Sequence, residues 1–314
     1  MKKISLLLAF TVCASAAFSQ YKWDFGAMVG AANYLGELGG KYKAHDYFII
    51  DMKLSQTKGA LGGFARYKVN KDVYVRGSLS WDRISGADSL SLDPGRRGRN
   101  LSFRNNLLEA SVVGQYVFYD VADLGRTYRY RNDFKAYVFG GLAGTYTNPQ
   151  AEYQGSWVNL QPLHTEGQGV VPGAPAPYSH YILAIPAGAG FFFTFSKVLR
   201  VGWEFNWRTT FTDYLDDVST KYPAASAFAP GSTAAALSNR NSELQPYKDG
   251  VNLPPAQEYY PGEKRGDPKH NDSYLTTTIN VSYVLKTHSK FAKEKYKSFF
   301  GNKYKKGRTI RAKF

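Results

Sequence analysis

Three acidic residues lie close together in the sequence and are the side chains best suited to chemistry. Asp213, Asp216 and Asp217 fall within one short polar segment. Clustered carboxylates can bind calcium or supply the acid and base of a hydrolase. The cluster lacks the fixed ligand spacing of known calcium loops, so we favour a hydrogen-bonding role in a loop over catalysis.

The other residue types give little support to an enzyme. The five histidines form no His-x-x-x-His pair, and the sequence contains no Gly-x-Ser-x-Gly elbow. Cys13 is the only cysteine and lies in an N-terminal segment that we expect to be removed. The mature chain would then have no disulfide, thiolate metal site or cysteine nucleophile. We therefore expect no catalytic residues, no cofactor and no metal site.

Stretches of alternating apolar and polar residues must position these side chains, and the clearest covers residues 73–81. One face carries Val73, Val75, Leu79 and Trp81, and the other carries Tyr74, Arg76, Ser78 and Ser80. Successive side chains of a strand point to opposite faces, so the pattern places apolar residues outward and polar residues inward. A closed barrel in lipid needs this arrangement, because lipid cannot pair backbone amides.

Eight such stretches predict an all-β fold, an eight-stranded antiparallel up-and-down transmembrane barrel. The predicted strands are 23–34, 61–69, 72–83, 103–119, 134–146, 181–195, 198–211 and 273–285. Asn70-Lys71 and Ser196-Lys197 are predicted tight turns, whereas 212–272 is predicted to be irregular. Long outer loops, short periplasmic turns and an even strand number place both termini in the periplasm of an outer-membrane protein. A soluble barrel or sandwich is the alternative, but it would have to tolerate a structureless loop of this length.

The ends of the chain define three predicted segments: a signal peptide (1–19), the barrel (20–285) and a basic tail (286–314). Lys2 and Lys3 precede a short apolar run and a small-x-small cleavage site, as in secretory signal peptides. The formal net charge is +15, and the tail contributes +10 through eleven Lys or Arg and one Glu. The barrel segment itself is therefore close to neutral.

The tail combines this charge with aromatic residues, which favours a partner contact over a merely solubilising end. An acidic protein or anionic lipid suits it better than nucleic acid, which the periplasm hardly offers. The predicted partner-binding residues are Lys293, Lys295, Lys297, Phe299, Phe300, Lys303, Lys305, Lys306, Arg308 and Arg311.

Charged residues at inward positions predict an ion-pair network in the barrel lumen. The predicted members are Arg66, Arg76, Glu109, Glu204 and Arg208. A lumen of eight strands is just wide enough for side chains to fill. We favour an ion-paired plug over the alternative, a narrow pore.

Several loop motifs make the sequence more specific than a generic barrel. They include residues 33–38 (Asn-Tyr-Leu-Gly-Glu-Leu), 160–169 with Thr-Glu-Gly-Gln-Gly, 184–188, 211–220 with Thr-Asp-Tyr-Leu-Asp-Asp-Val-Ser-Thr, and 271–274. Together they resemble the PorG family, the small outer-membrane barrels of the type IX secretion and gliding machinery of Bacteroidota. The motif residues that carry this resemblance in the loops are Thr165, Glu166, Gly167, Asp213, Tyr214, Asp216 and Asp217.

The resemblance implies a non-enzymatic protein that anchors or positions a periplasmic ring. Its expected partners are the ring lipoprotein and its companion, of the PorK and PorN type (GldK and GldN in gliding species), and outer-membrane lipid. Residues 221–265 and the tail match no family motif, so a role of the tail in ring contact is our own inference. A small-solute channel is the first alternative, and a hydrolase that uses the loop carboxylates is the second.

Overall fold

The computed structural model describes residues 22–38, 54–91, 93–125, 132–243 and 259–285. The predicted signal peptide and the predicted basic tail lie outside these described residues.

Ten β-strands and two short α-helices form within the described part of the chain. The strands are β1 (Trp23–Leu35), β2 (Lys58–Lys68), β3 (Val73–Ala87), β4 (Ser102–Val121), β5 (Asn132–Tyr146), β6 (Pro149–Tyr153), β7 (Ser156–Asn159), β8 (Tyr181–Phe195), β9 (Leu199–Thr210) and β10 (Ser273–Val284). The helices are α1 (Pro94–Arg99) and α2 (Thr233–Ser238). No helix in these described ranges has the length and apolarity needed to cross a membrane.

Eight of the strands close into an antiparallel barrel. Their order is β3-β2-β1-β10-β9-β8-β5-β4, and pairing between β3 and β4 completes the ring. The eight strands correspond to the eight alternating stretches of the sequence, and β8 has the predicted bounds. The predicted all-β fold and the up-and-down strand order are therefore confirmed.

The prediction was wrong about the long connections. β6 and β7 form a hairpin that extends the sheet beside β4, in a connection predicted as a loop. Gln154 and Gly155 make its turn at positive φ, 49° and 78°. Helix α1 begins where the Asp93 side chain accepts a hydrogen bond from the Arg96 amide. Helix α2 lies in the segment 212–272, which was predicted to be irregular.

The barrel has an apolar outer surface and a charged interior. Val29, Leu79 and Leu142 point outward and are 63%, 68% and 70% exposed, whereas Arg76 and Glu109 are each 3% exposed. This is the surface of a membrane-spanning barrel. Lipid solvates the apolar side chains, and the closed sheet leaves no backbone amide without a partner.

The two ends of the barrel differ in their connections. The turns at 69–72 and 196–198 lie at the end where β1 begins and β10 ends. Ser196 and Lys197 both have positive φ, 50° and 64°, as tight hairpin turns require. We call this the short-turn end. The described residues of the connections 36–57, 88–101, 147–180 and 211–272 lie at the opposite end, the long-loop end.

Candidate functional site

A first arginine–glutamate pair crosses the barrel interior. Arg76 on β3 meets Glu204 on β9 at 2.5 Å (Nη1–Oε2) and 2.9 Å (Nη2–Oε1). The Tyr137 hydroxyl also donates to Glu204 Oε2, at 2.8 Å. Because β3 and β9 are not neighbours in the sheet, this bidentate pair connects opposite walls.

A second pair lies closer to the long-loop end and repeats this geometry. Arg208 on β9 meets Glu109 on β4 at 2.6 Å (Nε–Oε2) and 3.1 Å (Nη2–Oε1). The Tyr274 hydroxyl donates to Glu109 Oε2 at 2.7 Å, and Arg208 Nη1 donates to Thr276 Oγ1 at 2.5 Å. Both carboxylate oxygens therefore have donors, which lowers the cost of burying the charge.

A third cluster, near the short-turn end, includes two residues that the sequence prediction missed. Asp24 accepts from Arg66 Nε at 3.0 Å, and its other oxygen accepts from Arg200. Both guanidinium groups lie over the Phe192 ring, at 4.7 Å for Arg66 and 4.8 Å for Arg200. Asp24 and Arg200 occupy inward positions of their strands, so the alternation alone could have identified them.

A small cavity lies between these clusters. The cavity bounded by Met28, Arg76, Asp82 and Arg208 measures about 10 Å³. A single water needs a space of roughly this size. Each of the five predicted lumen residues is buried beside an oppositely charged partner, and two of the ion pairs connect opposite walls of the barrel.

Glu166 is the centre of a second polar network, built by the loops at the long-loop end. We call this network the loop cap. Glu166 accepts from the amides of Ser219 at 2.9 Å and Thr220 at 3.0 Å, and from the Thr220 hydroxyl at 2.6 Å. Arg265 Nη1 adds a charge-assisted bond at 3.0 Å. The buried Glu166 carboxylate therefore connects the loop after β7 to residues 219–220 and to Arg265, which lie in the segment between β9 and β10.

Asp217 makes the second connection between the same loops. It accepts from the Thr165 hydroxyl at 2.5 Å and from the Tyr178 hydroxyl at 2.7 Å. Burial raises the pKa of Asp217 to about 6, and Arg265 limits this rise. The Tyr178 ring stacks on Tyr214 with centroids 4.6 Å apart.

Gly167 allows Glu166 to reach these partners. Its φ is +75°, a region that residues with a Cβ rarely adopt, and a Cβ there would lie 2.7 Å from Val171 Cγ2. The motif residues Thr165, Glu166, Tyr214 and Asp217 are thereby brought together in one network.

Asp216 and Asp272 share the hydroxyl of Tyr34. The Tyr34 oxygen lies 2.7 Å from Asp216 Oδ2 and 2.5 Å from Asp272 Oδ1. A phenol has one proton to donate, so the second contact needs a protonated carboxyl as its donor. Burial raises the pKa of both carboxyls well above the usual range, and repulsion between the two adds to the rise for Asp216.

Asp213 lies beside this group and near the Ser219 side chain. Both of its carboxyl oxygens are buried and have no hydrogen-bond partner among the described residues. Burial raises its pKa to about 9, the Ser219 side chain limits this rise, and repulsion by Asp216 and Glu37 adds to it. The raised pKa favours the protonated, uncharged form of this side chain.

This geometry is a poor match to the calcium and hydrolase interpretations. Asp213, Asp216 and Asp217 are 6%, 1% and 1% exposed, so a substrate cannot reach them in this conformation. Among the described residues, no group of three or more His, Cys, Asp or Glu is arranged to hold a metal ion. The expected hydrogen bond to a backbone amide is present for Asp216, which accepts from Val218 at 3.0 Å.

Arg99 ties the loop after β3 to the cap, a role that the sequence prediction missed. It pairs with Asp88 at 2.7 and 2.9 Å and donates to the backbone oxygens of Arg265 at 2.9 Å and Glu37 at 3.0 Å. Contacts among the described residues therefore connect all four loops at the long-loop end of the barrel.

A closed eight-stranded ring, an apolar exterior and a charged interior define this protein as a transmembrane β-barrel with a capped end. The chain belongs to the DUF6089 family, a domain of unknown function, whose model matches residues 2–234. No curated protein shows significant sequence similarity to the chain.

Three solved structures illustrate what the chain is similar to. The N-terminal β-barrel domain of Pseudomonas aeruginosa OprF matches at 11% identity and a TM-score of 0.33, over 85% of this chain and 98% of that one. OprG of the same organism matches at 9% identity and a TM-score of 0.33, over 86% and 98%. Ail of Yersinia pestis, in complex with the heparin analogue sucrose octasulfate, matches at 8% identity and a TM-score of 0.31, over 84% and 98%.

Proposed function

We propose that this protein is a non-enzymatic component of the type IX protein secretion machinery. It would anchor or position a periplasmic ring of the PorK and PorN type at the outer membrane. The loop motifs that resemble the PorG family support this role, because Glu166 and Asp217 are buried and connect the loops of the cap.

The observation that carries the proposal is the set of ion pairs that cross the barrel interior. Arg76–Glu204 and Arg208–Glu109 connect opposite walls, and the loop cap lies at one end. A barrel of this kind serves as a rigid membrane anchor for other proteins. The ion pairs favour the anchor over the alternative of a small-solute channel.

The topology indicates where a periplasmic partner would dock. Outer-membrane barrels have their short turns in the periplasm. In that orientation the short-turn end, both ends of the barrel segment and the +10 tail face the ring. Basic residues near the membrane attract an acidic partner surface, and salt weakens this attraction.

A pull-down from cells that express tail variants tests the proposal. We expect the full chain to recover ring subunits, and deletion of 287–314 to reduce recovery, more strongly at high salt. Glu at Lys303, Lys305 and Lys306 should mimic the deletion, whereas Arg at the same positions should not. All variants should remain folded, as judged by heat-modifiable migration on gels.

Two results together would contradict the proposal. They are failure of the full chain to recover ring subunits and normal type IX secretion in a strain that lacks the protein. Ring recovery that the tail variants leave unchanged would place the contact on the short turns, including residues 120–133.

A further inference from the structure

Two arginines lie side by side on the outer surface of the barrel, just beyond its apolar band. On β3, exposed Leu79 is followed at outward positions by Trp81 and then Arg83. On β4, exposed Leu108 is preceded at outward positions by Asn106 and then Arg104. Arg83 is opposite Asn106 in the register, and Ser85 is opposite Arg104. The two arginines are thus diagonal neighbours, about 7–8 Å apart at the backbone.

Each guanidinium is held in place by one hydrogen bond and one aromatic ring. Arg83 Nε donates to Asn106 Oδ1 at 2.8 Å, and its Cζ lies 5.2 Å from the centre of the Trp81 ring. Arg104 Nε donates to Gln150 Oε1 at 3.0 Å, and its Cζ lies 3.7 Å from the Trp157 ring centre. These contacts orient both groups and leave their terminal nitrogens available to a ligand.

The local charge at this pair is positive. Neither arginine forms an ion pair within the described part of the chain. Arg83 repels Arg104, and the weaker attraction of Glu152 only partly offsets that repulsion. In the lumen, by contrast, Arg66, Arg76 and Arg208 each face a carboxylate.

A shallow apolar groove begins below the arginine pair on the same strands. Its volume is about 820 Å³, and its walls include Gly77, Leu79, Ala110, Val112, Leu142 and Gly144. Leu79 is four residues from Arg83, and a strand rises about 3.4 Å per residue, so the groove starts about 13 Å below the guanidinium. A Cβ added at Gly77 or Gly144 would meet no atom within 4 Å, which shows how open the groove is.

We propose that this surface binds a phosphate-bearing lipid of the leaflet at the long-loop end. The guanidinium groups would hold the headgroup phosphate through bidentate hydrogen bonds, and an acyl chain would lie in the groove. Trp81 and Trp157 occupy the interfacial level at which tryptophan is enriched in membrane proteins. The site is independent of the proposed secretion role, because it uses neither the tail nor the short-turn end.

Native mass spectrometry of the full chain in detergent tests this site with phosphatidic acid as the probe. Diacylglycerol has the same acyl chains without the phosphate, and glycerol 3-phosphate has the phosphate without the chains. We expect phosphatidic acid to remain bound to the protein, and diacylglycerol and glycerol 3-phosphate to be lost. Arg83→Gln with Arg104→Gln should weaken it about tenfold, the effect of losing charge-assisted hydrogen bonds. Lys71→Gln, which removes an exposed charge at the opposite end, should not.

Groove variants separate a lipid from a free phosphate. Gly144→Leu fills open space and should weaken phosphatidic acid binding while the heat-modifiable fold persists. Equal binding of phosphatidic acid by the wild type and the double Gln variant would overturn the site. Equal binding of diacylglycerol would overturn the phosphate contact. Glycerol 3-phosphate could also bind as tightly as phosphatidic acid and be unaffected by Gly144→Leu. That result would overturn the acyl-chain contact.

Discussion

The barrel interior and the loop cap both bury carboxylates, but they neutralise them differently. In the interior, Asp24, Glu109 and Glu204 each accept from at least one arginine, whereas Asp82 accepts from the Ser80 hydroxyl. In the cap, Asp213, Asp216 and Asp272 face hydroxyls, amides and one another. Because the cap has fewer cations than acids near this group, protons must replace the missing positive charge. Ion pairs therefore stabilise the interior, whereas the stability of the cap depends on the protonation of its carboxyls.

The largest effect should come from removing one member of an interior pair. Glu204→Gln leaves Arg76 buried beside a neutral amide, and we expect a loss of about 3–5 kcal/mol in the free energy of unfolding. Urea unfolding in detergent or lipid, followed on gels, measures the change. Arg76→Met with Glu204→Met should recover most of the stability, because replacing a whole buried pair by apolar residues is often neutral. A double variant as unstable as the single one would show that the charges themselves hold the walls together.

A smaller effect should follow from removing charge at the centre of the cap. Glu166→Gln replaces an acceptor of Arg265 and two backbone amides, which we expect to cost about 1–3 kcal/mol. The loss should be local, so proteolysis within residues 211–243 should accelerate while the unfolding of the barrel is unchanged. Glu152→Gln, at an exposed site on β6, is the matched control. A uniform loss of barrel stability in Glu166→Gln would contradict the separation of the two regions.

The smallest effect should be the change in cap stability for each unit of pH, about 1.4 kcal/mol for one carboxyl. The folded pKa of Asp213 is about 9, above the ordinary value of 3.8, so the folded cap binds more protons than the unfolded one. Its stability is therefore complete below pH 4 and falls as the pH rises from about 4 to about 9. The raised pKa values of Asp216 and Asp272 act in the same direction.

A buried cysteine can report this opening. The experiment uses a chain with Cys13 replaced. Thiol labelling of Ser238→Cys in the cap should accelerate about tenfold for each loss of about 1.4 kcal/mol in cap stability, which corresponds to one pKa unit. Labelling of Ser226→Cys, which is exposed, provides the correction for thiolate formation. Asp213→Asn should reduce the pH dependence. Labelling ratios that stay constant across this range would show that the cap carboxyls are ionised in the folded state.

The barrel strands could be predicted because a period-two pattern persists over many residues of each strand. β8 (Tyr181–Phe195) was predicted to the residue, since Tyr178–Tyr181 and Ser196-Lys197 bound an uninterrupted alternation. The β6–β7 hairpin was missed because its strands are short, although Gln154-Gly155 is a recognisable turn. Helix α1 was missed because two glycines weaken a segment that Asp93 and Pro94 otherwise mark as a helix start.

The site was predictable only in part. Inward positions identify Arg76 and Glu204, but their pairing depends on the stagger between strands, which no single strand specifies. The motif residues Glu166 and Asp217 were selected by resemblance, whereas Arg265 was not selected. Its role arises from contact between loops about a hundred residues apart, which local sequence does not encode.

Single-channel recording in planar bilayers tests the central claim, that the interior is closed, most directly. The wild-type barrel should insert without stepwise conductance. A variant with Ala at Arg76, Glu204, Arg208 and Glu109 should conduct, which would show that insertion is productive and that these pairs obstruct the axis. Discrete open steps from the wild type, of the same size as those of the variant, would contradict the account.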